Sequence, residues 1–424
     1  DTQFLTEHLA SLGAIEITQA QYLIKLEQAL NKNASYAKGE VMGTPATYLD
    51  EDEFYPDASF LKDAPFLRTL IANPNHIGCH TLSKESSPIF KGTQAIEREL
   101  IQICSEEIFK SPKNGIDGYV ATGGTEANIE AMWIYRNYYK KEYGAKNNQI
   151  GVVYSEDTHY SIPKGGDLLG LKSIILPVDQ DDRSININCL EENIAKAKKE
   201  GVKYFIVILN VSTTMFGSVD EIEPVVEVFD RDETVFKLHL DAAFGGFIYP
   251  FTNPNSVHNF NNPRVSSISI DAHKMLQTPY GTGIFLIRKG YMHYVTNDQA
   301  QYVPGLDYTL CGSRSGANAI VIWMLLMNYG SEGWTKKMQD IIERTDYVCK
   351  RLDEMGVKYF RNPHINIVTI KANSIPNGIA KKYELVADTY EHMPSWWKIV
   401  VMDHVKYDLL KRFLDELEGE LAAK

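Results

Sequence analysis

Between Asp117 and Arg288, seven short runs rich in β-branched and large apolar residues alternate with stretches of helical periodicity. The runs are Asp117–Thr122, Ile150–Ser155, Lys172–Val178, Lys203–Asn210, Val235–Asp241, Ser266–Asp271 and Gly283–Arg288. A strand that feeds a helical crossover returns as a parallel neighbour, so this alternation predicts βαβ units and a mostly parallel seven-stranded sheet in an α/β fold. The last connection, His273–Thr282, carries Gly and Pro and is too short for a crossover helix. That leaves the final pair free to be antiparallel.

The flanks are organised differently. Gln19 to Leu30 reads as one helix, followed by a polar, tyrosine-containing stretch, so residues 1–59 are expected to form an arm. From Lys91 to Lys110, Ile96, Leu100, Ile103, Cys104 and Ile108 recur at helical spacing and define one buried face. A long helical pattern runs from Ala317 to Met355; strands are expected at Asn366–Lys371 and Lys398–Met402, and a helix at Tyr407–Leu421. The division this implies is an arm (1–59), a large domain (60–310) and a smaller α+β domain (311–424), which 424 residues can accommodate.

A net charge of −12 argues against a nucleic-acid or anionic-membrane partner, and 44% hydrophobic with 23% charged residues is ordinary for a folded chain. The five cysteines are scattered without CxxC spacing, so neither a disulfide framework nor a metal site is expected; buried free thiols in a reducing compartment are. No apolar run approaches the ~20 residues a membrane helix needs. A soluble, cytoplasmic protein is the expectation.

In an open α/β sheet, ligands gather beyond the carboxyl ends of the strands. The chemically versatile residues fall there: Gly123-Gly124-Thr125 after the first run, His159 after the second, Thr214 after the fourth, Asp241 at the end of the fifth, and His273-Lys274 after the sixth. Taken singly, each has a bland alternative: a tight turn capped by Thr125, a structural histidine, a strand-end turn at Thr214, a helix-capping aspartate, a solvated lysine. Five on one rim point to a shared site.

Their chemistry is complementary. Glycines at a helix start let backbone N–H groups and the helix dipole meet an anion such as phosphate. A flat imidazole at His159 can stack on an aromatic ring and meet a carboxylate. An aspartate about 4 Å from a pyridine nitrogen gains ~4 kcal/mol at an effective dielectric of ~20, enough to keep that nitrogen protonated and the ring an electron sink. Ala242 and Ala243 leave room for a ring at the strand end. Lys274, beside a second cationic group in His273, is a Schiff-base candidate. The combination predicts pyridoxal 5′-phosphate (PLP). A second glycine/hydroxyl loop, Gly312-Ser313-Arg314-Ser315-Gly316, either holds phosphate or caps a helix with Arg314 in an ion pair.

The segments Thr122-Gly123-Gly124-Thr125-Glu126, Asp157-Thr158-His159-Tyr160-Ser161, His239-Leu240-Asp241-Ala242-Ala243, Asp271-Ala272-His273-Lys274-Met275 and Thr309-Leu310-Cys311-Gly312-Ser313-Arg314-Ser315-Gly316 resemble, in this order, the group II PLP-dependent amino-acid decarboxylases. Bacterial PLP-type histidine decarboxylases are the nearest in pattern. The resemblance spans Asp117 to Trp323 and continues loosely beyond. It implies the aspartate-aminotransferase-like fold type I and a homodimer with shared active sites. It also implies Lys274 as cofactor anchor, His159 stacked on the ring with Ala243 on the other face, and Asp241 at the ring nitrogen. Gly124, Thr125 and His273 would hold phosphate, with Thr214 near the ring. Gly312 and Ser313 would reach the phosphate from the second subunit, and Tyr302 would be the acid that reprotonates Cα. The chain departs from some relatives in placing Asp271 where they have serine, and in Asn73–His80, a region that usually shapes the substrate pocket. The expected reaction is decarboxylation of an L-amino acid to its amine by a carbon–carbon lyase, with histidine the first substrate expectation. Acidic or aromatic amino acids, aldehyde-forming or other carbon–carbon-cleaving PLP chemistry, and an inactive PLP-fold binding protein are the alternatives.

Overall fold

The computed structural model describes residues 91–296 and 306–423; the expected arm and Tyr302 lie outside the described residues. All seven expected runs form strands of one sheet: β1 (Ile116–Tyr119), β2 (Ile150–Ser155), β3 (Lys172–Leu176), β4 (Tyr204–Asn210), β5 (Val235–Asp241), β6 (Val265–Asp271) and β7 (Gly283–Arg288). The order is β1-β7-β6-β5-β4-β2-β3. β2 to β6 pair in parallel with β3 at the far edge, whereas β7 runs antiparallel to both β6 and β1. β1 is shorter than expected because its backbone is diverted. The Val120 N–H donates to Glu97 Oε1 at 2.6 Å and its carbonyl accepts from Arg314 at 3.0 Å, ending the ladder there.

Alternation along the strands creates two buried faces. Val153, Val207, Leu209, Leu240 and Ile270 face one layer, packed by Leu100 of α1 (Lys91–Gln102), Leu190 and Ile194 of a helix at Ile187–Lys199, and Val225 and Phe229 of a helix at Ile222–Arg231. Val152, Ile206, Ile208 and Phe285 face the other, covered by Ala127, Ala131 and Ile134 of α2 (Gly124–Tyr143) and Ile162 of α3 (Ser161–Leu169). The helix expected over Lys91–Lys110 holds its α form only to Gln102 and widens into a looser i→i+5 turn over Ile103–Ile108.

The long C-terminal pattern is helical over Gly316–Glu354 but breaks at Gly330 (φ 60°, ψ 176°), a backbone conformation that glycine adopts without a Cβ penalty. Beyond it, a four-stranded antiparallel sheet of Val386–Ala387, Trp396–Val400, Ile367–Lys371 and Tyr359–Phe360, in that order, packs with Leu410, Phe413 and Leu414 of the helix Tyr407–Ala422. The fold is therefore a mostly parallel seven-stranded sheet plus a smaller α+β unit. Of the cysteines, Cys104 and Cys349 are buried as expected, but Cys311 is exposed. No described helix is long and apolar enough to cross a membrane.

Candidate active site

Gly123, Gly124, Thr125, His159, Thr214, Asp241, Ala243, His273 and Lys274 all line one cavity of about 410 Å³ at the carboxyl rim of the large sheet. The topology explains the convergence: parallel strands deliver their C-terminal loops to the same edge. Gly312 and Ser313 do not line this cavity within one chain; the Gly312 N–H donates to Thr309 Oγ1 at 3.1 Å in a local turn.

Thr125 is not the helix cap. α2 starts two residues earlier than a Thr125 cap would set it, with Gly123 at the cap position and no side-chain cap, while Glu126 reaches back to accept from the Thr122 N–H at 2.8 Å. The first N–H groups of α2 are thus left for an anion. A Cβ on Gly124 would sit 3.0 Å from Ala243 Cβ and 3.1 Å from Asp271 Oδ2, so the close approach requires glycine. Beside it, His273 Nδ1, Asp271 Oδ1 and Ser212 Oγ are buried without a partner. An open helix N-terminus with His273 Nδ1 and Ser212 Oγ as unspent donors fits a phosphorylated group, whereas the acceptor-only Asp271 oxygen does not contribute to that fit.

Asp271 Oδ2 lies 3.0 Å from Lys274 Nζ and 3.7 Å from His273 Nε2. The amine is therefore set against a carboxylate as well as beside a histidine, and Asp271 faces the amine rather than donating to phosphate as a serine would.

Asp241 emerges from β5 nearly buried, at 6% exposure. Its Oδ1 accepts from the Ala243 N–H at 3.1 Å and its Oδ2 from Asn128 Nδ2 at 2.8 Å. Asn128 Nδ2 also donates to Ser161 Oγ at 3.0 Å, and Ser161 Oγ meets His159 Nδ1 at 2.9 Å. Burial pushes the His159 imidazole below its usual range, partly opposed by Asp241. The loop bearing His159 is pinned twice. Asp157 takes a two-point ion pair from buried Arg183 (2.6 and 2.8 Å), and Thr158 Oγ1 accepts from Asn210 Nδ2 at 2.8 Å. Asn210 in turn rests on Asp220, whose carboxyl burial pushes up to about 7.

Two residues here escaped the sequence reading. Asn128, one turn into α2, signals nothing in a one-dimensional pattern. Lys398, on the small sheet, donates to the Thr214 carbonyl at 2.9 Å; burial and then Lys274 lower its affinity for a proton. It brings a second amine to the cavity edge. Arg314 takes the ion-pair alternative, buried against Glu97 and stacked 4.9 Å from the centre of the Tyr119 ring.

The chain matches the model of the pyridoxal-dependent decarboxylase conserved domain over residues 59–370 and belongs to that family. It is a PLP-dependent amino-acid decarboxylase. It is 48% identical over 400 residues to tryptophan decarboxylase of Clostridium sporogenes, covering 94% of this chain and 96% of that one. A probable L-tyrosine/L-aspartate decarboxylase of Methanocella arvoryzae is 29% identical (87% and 98% covered), and histidine decarboxylase of Vibrio anguillarum 28% (75% and 81%). Among solved structures, L-methionine decarboxylase of Streptomyces sp. 590 superposes with a TM-score of 0.70 at 19% identity, over 83% of this chain and 88% of that one. Sphingosine-1-phosphate lyase of Burkholderia pseudomallei gives 0.70 at 18%, over 99% and 95%. These two share the fold.

Proposed function

We propose that this protein decarboxylates an aromatic L-amino acid, tryptophan foremost, to its amine. The observation that carries the reading is the 48% identity to a tryptophan decarboxylase along nearly the whole of both chains. The cavity supports it physically. Tyr160 and Tyr280, at 62% and 89% exposure, line its mouth and offer rings against which an aromatic side chain can pack. Among the described lining residues the cations are Lys274 and, when protonated, His159 and His273, with Lys398 at the edge, and no arginine is present to clamp an acidic side chain.

Lys274 would anchor the cofactor through its amine. Bound PLP supplies an electron sink for the pair left at Cα when CO₂ departs. Asp241, fixed by Asn128 and the Ala243 amide, would keep a cofactor ring nitrogen protonated. His159, Ala243 and Thr214, which line the cavity, would hold the ring. Gly124, Thr125 and His273 would hold the phosphate, with Gly312 and Ser313 of a second copy completing the site in a homodimer. Lys398 draws the substrate α-carboxylate toward the cavity edge. Tyr302 returns the proton to Cα. We keep the division into an arm, a large domain ending at 310 and a small domain.

The test is CO₂ and amine release from purified, PLP-loaded protein over tryptophan, tyrosine, phenylalanine, histidine, aspartate and glutamate. Highest kcat/KM on tryptophan supports the reading. Preference for histidine would instead restore the substrate that the motif resemblance suggested.

A further inference from the structure

We propose that Asn128 is a positioning residue that couples the Asp241 carboxylate to the tautomer of His159, as the branch point of a one-way chain of hydrogen-bond donors. The inference rests on the roles given above to Asp241 and His159.

The direction of every bond in the chain follows from which atoms can donate. An ionised carboxylate only accepts, so the Asn128 amide must turn its Nδ2 toward Asp241 Oδ2, at 2.8 Å. Its second N–H then goes to Ser161 Oγ at 3.0 Å. With that oxygen accepting, the Ser161 hydroxyl hydrogen is free for His159 Nδ1 at 2.9 Å, and the Ser161 backbone N–H points at the same nitrogen at 3.3 Å. Two donors on Nδ1 leave it bare, so the ring proton of neutral His159 resides on Nε2.

The other end of the amide locks the same orientation. Asn128 Oδ1 meets His239 Nε2 at 2.9 Å and Ser269 Oγ at 2.7 Å, and both must donate to it. His239 is fully buried, which pushes it down to about 4 and keeps it neutral. Its Nδ1 therefore accepts from Ser267 Oγ at 2.7 Å, and Ser267 accepts from Tyr135 O–H. A flipped amide would set Oδ1 against the Asp241 carboxylate and Nδ2 against a donating nitrogen, leaving buried groups unpaired at a cost of ~1–3 kcal/mol each. Partners more than 100 residues distant thus hold one amide in one orientation, which fixes the carboxylate's position and leaves the Ser161 hydroxyl hydrogen for His159 Nδ1, beside the Ser161 backbone N–H. The role is that of an outer-shell orienting group, analogous to the partners of metal-bound histidines, whose loss costs roughly 10–100-fold.

The experiment is ¹⁵N-histidine NMR of the full-length protein at neutral pH, with the His159 and His239 signals assigned by His159→Gln and His239→Gln, read with and without PLP. The expected result is the neutral Nε2–H tautomer for both, with Ser161→Ala, which removes the hydroxyl donor but keeps the backbone N–H, weakening that preference and shifting the His159 Nδ1 signal, and Ser161→Thr restoring it. In turnover, Ser161→Ala is expected to lower kcat roughly 10–100-fold at nearly unchanged KM, and Ser161→Thr to rescue it. An Nδ1–H or doubly protonated His159 in the wild type, or an unaltered His159 signal in Ser161→Ala, overturns the proposal. The tautomer readout requires neither cofactor nor substrate, so its failure is separable from a failure of the assigned activity.

Discussion

Lys274 Nζ lies 3.0 Å from Asp271 Oδ2 across the turn that leaves β6, while Asp271 Oδ1 is buried without a partner. The amine proposed above as the cofactor anchor is therefore pre-positioned by a carboxylate at the end of a buried strand. Replacing Lys274 with Ala is expected to abolish the visible absorbance of the covalently bound cofactor and all turnover, as absorbance spectroscopy after PLP loading would report.

Asp241 is held by two donors, so its exchange for Asn should change charge more than shape. Loss of an interaction of ~4 kcal/mol with the ring nitrogen predicts a fall of up to about 10³-fold in kcat while the cofactor remains bound. Single-turnover kinetics beside a cofactor absorbance titration separates these two outcomes.

Lys398 makes a prediction that divides substrate from product. A charge-assisted hydrogen bond to the α-carboxylate of ~1.5–3 kcal/mol implies roughly a 10–100-fold loss of kcat/KM in Lys398→Met. The amine product lacks that carboxylate, so its inhibition constant should not move.

How much of this was legible in the sequence depended on whether a residue's role was local. β2 and β4 were readable because a buried parallel strand is a near-continuous apolar run, and the C-terminal ends of the parallel strands then had to share a rim. Lys274, Asp241 and His159 lie on that rim directly after such runs. The break at Gly330 and the early end of β1 were not readable, since one depends on a single dihedral angle and the other on Glu97 and Arg314 meeting Val120 from distant segments. Asn128 and Lys398 acquire meaning only from contacts such as those to Asp241 and Thr214, 113 and 184 residues away.

Glu97 and Arg314 form a buried ion pair, with side chains 0% and 3% exposed, that also holds the Val120 peptide beside the glycine loop. Removing one partner strands the other charge, so Glu97→Ala is expected to cost about 3–5 kcal/mol in chemical denaturation.

Asp220 gives a pH signature of defined sign. Burial raises its carboxyl from 3.8 to about 7, so the folded state binds a proton that the unfolded chain has already released. Stability from this group is complete below pH ~4, falls by about 1.4 kcal/mol per pH unit as pH rises, and is gone above about 7. Asp220→Asn should remove that slope, and the difference in urea midpoint between variant and wild type should widen from pH 4 to pH 7.

Decarboxylation with retention of the amine is tested most directly by the product stoichiometry from L-tryptophan with the purified PLP-loaded protein. CO₂ and tryptamine are expected in equal amounts, with no aldehyde or ammonia. Aldehyde and ammonia in place of the amine, or no CO₂ from any of the amino acids in the panel, would contradict it.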